Sequence, residues 1–327
     1  VFGSWGGEDF FLLGSTEWGE QFADELKENM VVYINRESYT SGDWSAAGNH
    51  SLERFMIETS KDAPHPEAAT LFDAWQGQQP GEALLLNGAA HTALGSGSDY
   101  TVFLDHLGVP SLNVGYGSAN GIYHSLYDTY YYYQRFGDPG YKYGVAQADM
   151  VVRMVMRLAN ADILPFDFTS ASGVIAGYVD ELVAMDEGGL LRDELREIGA
   201  ANAAMRVAAT ETNGVLARLL GGAAASAEQN RSAVDQVNAL IMRAERDMID
   251  ERGLWRRPWY RNLIYAPGYY EGYAAKTLPG VREPMEDGAW EVARTQAGML
   301  VEALERVTLA LTEAGSLARA ATTRVIS

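Results

Sequence analysis

Met30-Val31-Val32-Tyr33-Ile34-Asn35 is a short run of β-branched and aromatic residues, the composition of a strand buried within a sheet. Val109-Pro110-Ser111-Leu112-Asn113-Val114-Gly115-Tyr116 reads the same way. Helical patterns surround both runs. One helix is predicted from Thr16, with Glu17 and Glu20 in its first turn, to about Asn29; others span Ser51 to about Thr59 and Asp99 to about Leu107. Strands alternating with helices predict an α/β fold with a mostly parallel sheet covered on both faces. Ligands of such sheets sit at the carboxyl ends of the strands. The residues just after Trp5 and Asn35, and the loop after Tyr116, are therefore the first places to look for a site.

Further along, a helix predicted from about Gly144 to Asp162 ends at Ile163-Leu164-Pro165-Phe166, where the proline stops it. A domain boundary is expected there, with residues 1–165 as the α/β portion and 166–327 as an all-α helical bundle. Beyond the boundary apolar residues recur at helical spacing: Leu191, Leu195 and Ile198; Val234, Val237, Ile241, Ala244 and Met248; Val292, Met299, Ala303, Leu304, Val307 and Leu311. Gly221-Gly222 is expected to separate two helical stretches. The segment Gly253 to Gly280, rich in Trp, Tyr, Pro and Gly, reads as a long structured loop, and loops of that length are usually functional or interfacial.

The bulk properties exclude several classes. The 327 residues carry a net charge of −19, which argues against a nucleic-acid partner because phosphate binding needs clustered Lys and Arg. There is no cysteine, so disulfides, thiolate zinc sites and a cysteine nucleophile are all excluded, and any metal must be held by His, Asp and Glu. No uncharged apolar run of about 18 residues occurs, so no membrane-spanning segment is expected. The start, Val1-Phe2-Gly3-Ser4-Trp5, reads as an interior strand cut open. The compartment is left unspecified.

Several residues are candidates for chemistry. Glu8-Asp9 sits between an apolar start and Phe10 to Leu13. Adjacent carboxylates on a turn point in different directions, so one can ligate a metal while the other takes a proton from the attacking water; taken alone, an acidic pair in a loop is more often a solvated turn. Glu37 lies two residues past Asn35, again at a strand end. His124, in Gly121-Ile122-Tyr123-His124-Ser125-Leu126-Tyr127-Asp128-Thr129, follows the second strand among tyrosines, whereas His50, His65, His91 and His106 have no comparable setting; His106 reads as exposed. Gly95-Ser96-Gly97-Ser98-Asp99 lacks the lysine and glycine spacing of a phosphate loop and reads as a turn and helix cap. Asn49-His50-Ser51 and Asn230-Arg231-Ser232 fit the glycosylation pattern.

Taken together these segments resemble one family. Trp5-Gly6-Gly7-Glu8-Asp9-Phe10 followed by Leu12-Leu13-Gly14-Ser15-Thr16-Glu17-Trp18 is similar to the W-D-x-E-E-x-G-L-L-G-S-T-E-W signature of the glutamate carboxypeptidase and transferrin-receptor family of zinc exopeptidases. The V-x-Y-I-N strand, L-G-S-G-S-D at Leu94 to Asp99, Y-H-S-x-Y-D-T at Tyr123 to Thr129, I-L-P-F at Ile163 to Phe166 and R-P-W-Y-R-x-L-I-Y-A-P at Arg257 to Pro267 follow in order. The resemblance covers nearly the whole chain. It implies an exopeptidase with two zinc ions and a bridging water, acting on a peptide substrate. Glu8 matches the general base and Tyr123 a tyrosine that polarises the scissile carbonyl. Asp9, Glu37 and His124 match zinc ligands. Ser98, Asn113 and Tyr273 match substrate-binding positions.

The same resemblance implies a helical dimerisation module in the second half, hence a homodimer, and places the front part of the peptidase domain, with a further His and Asp ligand, upstream of Val1. Members are often secreted or membrane-anchored ectodomains. Departures are visible. Asp9 stands where the family usually has Glu, and Glu37 where it usually has Asp. Asn113 and Gly115 stand in place of two arginines that read a terminal glutamate, Ser98 in place of an asparagine, and Gly272 in place of a lysine. Glutamate specificity is therefore not expected. The alternative implied by these exchanges is a non-catalytic, transferrin-receptor-like dimeric receptor or scaffold.

Overall fold

The computed structural model describes residues 1–78, 91–117, 121–223 and 227–324, without the side chains at 37–39, 91–92, 222–223, 227–229 and 323–324. The predicted run at Met30 becomes strand β1 (Tyr33–Tyr39) and the second run becomes β4 (Ser111–Gly117). They pair in parallel, Ile34 opposite Leu112 and Asn35 opposite Asn113. Between them in sequence lie β2 (Asp43–Gly48) and the short β3 (His91–Thr92), and the sheet order is β1-β4-β2-β3.

The described sheet is mixed: β1 with β4 and β2 with β3 pair in parallel, but β2 runs antiparallel to β4, a reversal the sequence pattern did not predict. The cause is local. Only residues 40–42 separate β1 from β2, and a parallel crossover needs roughly a dozen residues or more. The chain therefore turns straight back, and β4 occupies the place between the two. The Asp-Trp-Ser-Ala-Ala-Gly sequence of β2 has little β-branched content, yet it buries Trp44, Ala46 and Gly48 on alternate positions. Gly48 has φ 149°, and a Cβ there would fall 2.1 Å from the Ser111 carbonyl oxygen, so the strand end accepts only glycine.

The helices differ in detail from their sequence patterns. The stretch predicted from Thr16 forms two helices, α1 (Leu13–Gln21) and α2 (Ala23–Asn29), broken at Phe22. Helix α3 (Glu53–Ser60) is preceded by a 3-10 turn at His50–Leu52, and α4 (Leu71–Gln78) follows. The stretch expected as a helix from Asp99 is a single π turn, Val102–His106, which buries Val102, Phe103 and Leu104. Val1 to Trp5 forms no strand; Trp5 packs on Trp18 and Phe103, with ring centroids 5.2 and 6.1 Å away. A one-turn helix α5 (Tyr130–Tyr132) precedes α6 (Lys142–Ala159). His106 is not exposed as expected but stacks on Trp259 and bonds its carbonyl oxygen through Nδ1 at 2.8 Å. Asn49 and Asn230 are both buried, so neither glycosylation pattern presents an accessible acceptor.

The second half is helical as expected. Helix α7 (Phe168–Met185) is capped by Asp167, whose carboxylate accepts from the Thr169 amide at 2.9 Å. Helix α8 (Arg192–Ala223) ends one residue past Gly221-Gly222 and α9 (Ala227–Arg246) follows, so the pair falls between two helical stretches as expected; α10 (Pro279–Glu286) and α11 (Trp290–Arg324) complete the set. The loop between α9 and α10 holds a small antiparallel hairpin, β5 (Tyr265–Pro267) with β6 (Ala275–Thr277). One continuous apolar core runs from Trp44, Leu112 and Tyr116 in the sheet through Met150 and Phe168 to Leu304, Val307 and Ala314 in α11. A smaller core of Leu26, Val102, Phe103, Leu107 and Val109 lies under Trp5 and Trp18. Among the described residues no helix is long and apolar enough to cross a membrane.

Candidate active site

The turn bearing Glu8 and Asp9 is built from backbone hydrogen bonds. The Phe10 amide donates to Gly7 O at 3.1 Å, the Leu12 amide to Glu8 O at 2.9 Å and the Gly14 amide to Gly6 O at 3.0 Å. To close it, Phe11 and Leu12 both adopt left-handed backbone, φ 62° and 59°, a conformation costly for bulky residues. Across the cavity His124 is also left-handed at φ 59°. All three line the same cavity, and strain of this kind persists where surrounding structure over-determines it, often at functional sites.

That cavity has a volume of about 440 Å3 and is lined by Glu8, Asp9, Tyr123, His124 and Tyr273, together with Phe11, Leu12, Ser96, Gly97, Arg257, Tyr260 and residues of the 267–272 segment. The His124 imidazole stacks on the Tyr123 ring, centroids 3.8 Å apart. Glu8 is held above the usual carboxylate range, first by partial burial, then by the charges of Asp99 and Asp9, with His124 opposing; Asp9 also hydrogen-bonds it. Glu8, Asp9 and His124 thus share one cavity.

Other predicted site residues lie elsewhere. Ser98 and Asn113 do not line the cavity. They terminate a buried polar chain in which Trp5 Nε1 donates to Tyr33 Oη (3.0 Å), Tyr33 Oη to Asn35 Oδ1 (3.0 Å), and Asn35 Nδ2 to Ser98 Oγ (3.1 Å) and Asn113 Oδ1 (3.2 Å). Ser15 Oγ donates to Asp99 Oδ1 at 2.5 Å beside it. This chain fixes the Glu8 turn onto β1 and β4. The Glu37 side chain lies outside the described residues.

Two family models match the chain: peptidase family M28 over residues 1–136, and the transferrin receptor-like dimerisation domain over residues 194–312. Among curated relatives, a probable glutamate carboxypeptidase of Arthroderma benhamiae is 32% identical over 321 residues, covering 94% of this chain and 41% of that protein. A probable glutamate carboxypeptidase of Arabidopsis thaliana is 28% identical over 94% of this chain and 44% of its own length. An aminopeptidase of Rattus norvegicus is 26% identical over 93% of this chain and 43% of its own length. The chain belongs to the glutamate carboxypeptidase and transferrin receptor-like family. It spans less than half the length of these relatives.

Family M28 peptidases are generally metal-dependent. Among the described residues no three His, Asp or Glu side chains come together as a metal-binding group, whereas a catalytic zinc takes about three protein ligands. Asp9 and His124 face one cavity but do not complete such a set.

Sequence reading missed Arg257 and Tyr260 as individual site residues, although it placed the Gly253 to Gly280 loop among functional or interfacial segments. Arg257 Nη2 donates to Glu283 Oε2 at 2.5 Å, and its Nη1 to the Pro267 carbonyl. The Tyr269 amide donates to Glu283 Oε1 at 2.6 Å. On the other side Ser96 accepts the loop, its amide donating to Tyr273 O at 3.3 Å. The R-P-W-Y-R run carried the only sequence signal.

Proposed function

We propose that this chain carries the general-base side of a zinc-dependent exopeptidase site that hydrolyses a terminal peptide bond. The observation that carries this reading is the gathering of Glu8, Asp9, Tyr123 and His124 around one open cavity in a peptidase family M28 segment. In this reading Glu8 accepts the proton of the attacking water and delivers it to the leaving amine. The Tyr123 hydroxyl, on an exposed ring at the cavity edge, donates to the scissile carbonyl oxygen as negative charge develops there. Zinc is the implied cofactor, with Asp9, Glu37 and His124 as ligands from this chain. Because the described donors do not complete a site, the roles of Glu8 and Tyr123 rest on their own placement. We further propose that residues 1–165 and 166–327 act as peptidase and dimerisation domains, that two chains pair as a homodimer, and that Ser98 and Asn113 support the substrate site from behind while Tyr273 faces it.

Glu8→Gln in the full-length protein tests the reading. Peptide turnover should fall by roughly 10²–10⁴-fold, with bound zinc nearly unchanged. Unchanged turnover removes Glu8 from the role. The second reading, a non-catalytic dimeric receptor or scaffold, draws on Asp9 and Glu37 standing where the family usually has Glu and Asp; full-length protein that binds no zinc and hydrolyses no peptide would establish it.

A further inference from the structure

The cavity lining is rich in aromatic side chains. Tyr260, Tyr269 and Tyr273 line it, together with Phe11 and Leu12. Tyr269 and Tyr273 are substantially exposed, at 46% and 70%, so their rings are available to a ligand. The loop that presents them is fixed at both ends. Gly95 packs so tightly beneath it that a Cβ would meet Tyr273 O at 2.1 Å, and the Tyr269 amide is tied to Glu283 at 2.6 Å.

One permanently cationic side chain lines the cavity among the described residues, Arg257. The stretches 79–90 and 118–120 contain no lysine or arginine in sequence. An arginine in a recognition wall ordinarily reads a carboxylate through its planar fork. Here that charge is already balanced. Arg257 and Glu283 side chains are each 10% exposed and meet at 2.5 Å, and a second arginine N–H goes to the Pro267 carbonyl. An incoming carboxylate would lose its hydration without gaining an unpaired cation, which is unfavourable. A neutral aromatic or large aliphatic side chain would bury apolar area against the tyrosines with no such cost.

We propose that the wall of Tyr260, Tyr269 and Tyr273 receives an uncharged, aromatic or large aliphatic side chain of a peptide, and that Glu283, by neutralising Arg257, keeps the site from taking a carboxylate. The proposal rests on the peptidase reading only in calling that peptide a substrate. Glu283 does not line the cavity and acts through Arg257, as a positioning and charge-masking residue.

Equilibrium binding to the full chain tests this without requiring turnover. The probes are two tripeptides with free ends: one with phenylalanine at both ends and alanine between, the other with glutamate at both ends. The unaltered protein should bind the first at least about tenfold more tightly. Glu283→Gln unmasks Arg257 and should raise affinity for the glutamate peptide by about tenfold, leaving the phenylalanine peptide within about threefold. Thermal melting reports whether that variant folds. Should it not fold, Tyr273→Ser decides the matter, with an expected loss of about tenfold for the phenylalanine peptide and little change for its counterpart. Equal or preferred binding of glutamate by the unaltered protein, no binding of the phenylalanine peptide, or an unchanged ratio in folded Glu283→Gln overturns the proposal. Selective binding without hydrolysis sustains the wall and sinks the peptidase reading instead.

Discussion

Asn49 reaches across 196 residues of sequence to donate through Nδ2 to Glu245 Oε2 at 2.9 Å. The same side chain accepts the Ser111 amide through Oδ1 at 2.8 Å. One amide therefore joins the end of β2, the start of β4 and helix α9. Next to it His50 Nδ1 meets the Tyr265 hydroxyl at 2.6 Å. Asn49→Leu keeps the volume but strands the Glu245 oxygen and the Ser111 amide in a buried site. Each stranded group costs about 1–3 kcal/mol, so urea unfolding should show a loss of roughly 2–6 kcal/mol. A variant within about 0.5 kcal/mol of the parent would show that the junction does not depend on this residue.

Asp105 supplies a pH test. It is fully buried on the π turn, neither carboxyl oxygen has a hydrogen-bond partner, and burial lifts its carboxyl well above the usual range, with Arg257 opposing. Tyr260 is the other titratable group beside it. A carboxyl whose folded pKa is raised contributes fully below its unfolded pKa of about 3.9 and loses stability as pH rises from there through the folded pKa. The loss is about 1.4 kcal/mol for each unit of elevation. Asp105→Asn does not titrate, so relative to the parent it should gain stability as pH rises above the unfolded pKa of about 3.9 toward neutrality. Unfolding curves collected across that range check the sign; Asp99, Glu245 and Asp247 titrate in both proteins and cancel. Parallel pH profiles would remove Asp105 as the cause.

Much of this was legible in the sequence, and the exceptions have physical causes. The Met30 and Val109 runs announced β1 and β4 because short β-branched and aromatic runs mark strands, although β1 stands at the end of the described sheet order and its Tyr33 and Ile34 are only half-buried. Strand β2 stayed hidden because Asp43, Ser45 and two alanines dilute its alternation, and its direction depends on a short connection that periodicity does not encode. The helix expected at Asp99 collapsed to a π turn because Asn262 Nδ2 and the Arg261 and Asn262 amides take carbonyl oxygens of Leu104 and Asp105. Gly221-Gly222 is tolerated in α8 because a helix end carries glycine at modest cost. Glu8, Asp9, Tyr123 and His124, which line one cavity, were singled out from motif order. Arg257 was not, since its role depends on a carboxylate on α10 and a carbonyl on the hairpin.

Gly95 should be intolerant of any side chain. A Cβ at Gly95 would fall 2.1 Å from Tyr273 O and 2.9 Å from both Ala274 C and Ala275 N, all of them backbone atoms. Gly95→Ala must therefore push the loop away from Ser96, breaking its hydrogen bond to Tyr273 O and tilting Tyr273 out of the cavity wall. The overpacking should cost about 1–3 kcal/mol, and backbone amides between residues 268 and 276 should exchange faster while those of α11 keep their protection. Unaltered exchange with full stability would show that the loop has room the geometry denies.

The last expectation is the pairing of two chains through the helical half. Residues 194–312 match the transferrin receptor-like dimerisation domain, and α8 leaves a surface suited to it. Its inner positions Met205, Ala208, Ala209 and Val215 are buried, in a core shared with α11 residues such as Val307 and Ala310. Its outer positions Ala200, Ala203, Ala204 and Val207 are exposed, at the three- and four-residue spacing that lines up one helix face. A smooth apolar stripe lets a second helix approach closely, and a two-fold pairing would set the same stripe on both chains against itself. A permanent dimer should bury on the order of 2,000 Å2 or more, so this stripe would be the centre of a wider contact. Ala203→Arg places a charge at that centre without touching the buried face, where an unpaired buried charge costs several kcal/mol. Sedimentation of the full-length protein at micromolar concentration should give a dimer, and Ala203→Arg should shift it to a monomer with an unchanged melting profile at low concentration. A parent protein that sediments as a single monomeric species refutes the pairing, and a variant that remains dimeric moves the interface off α8.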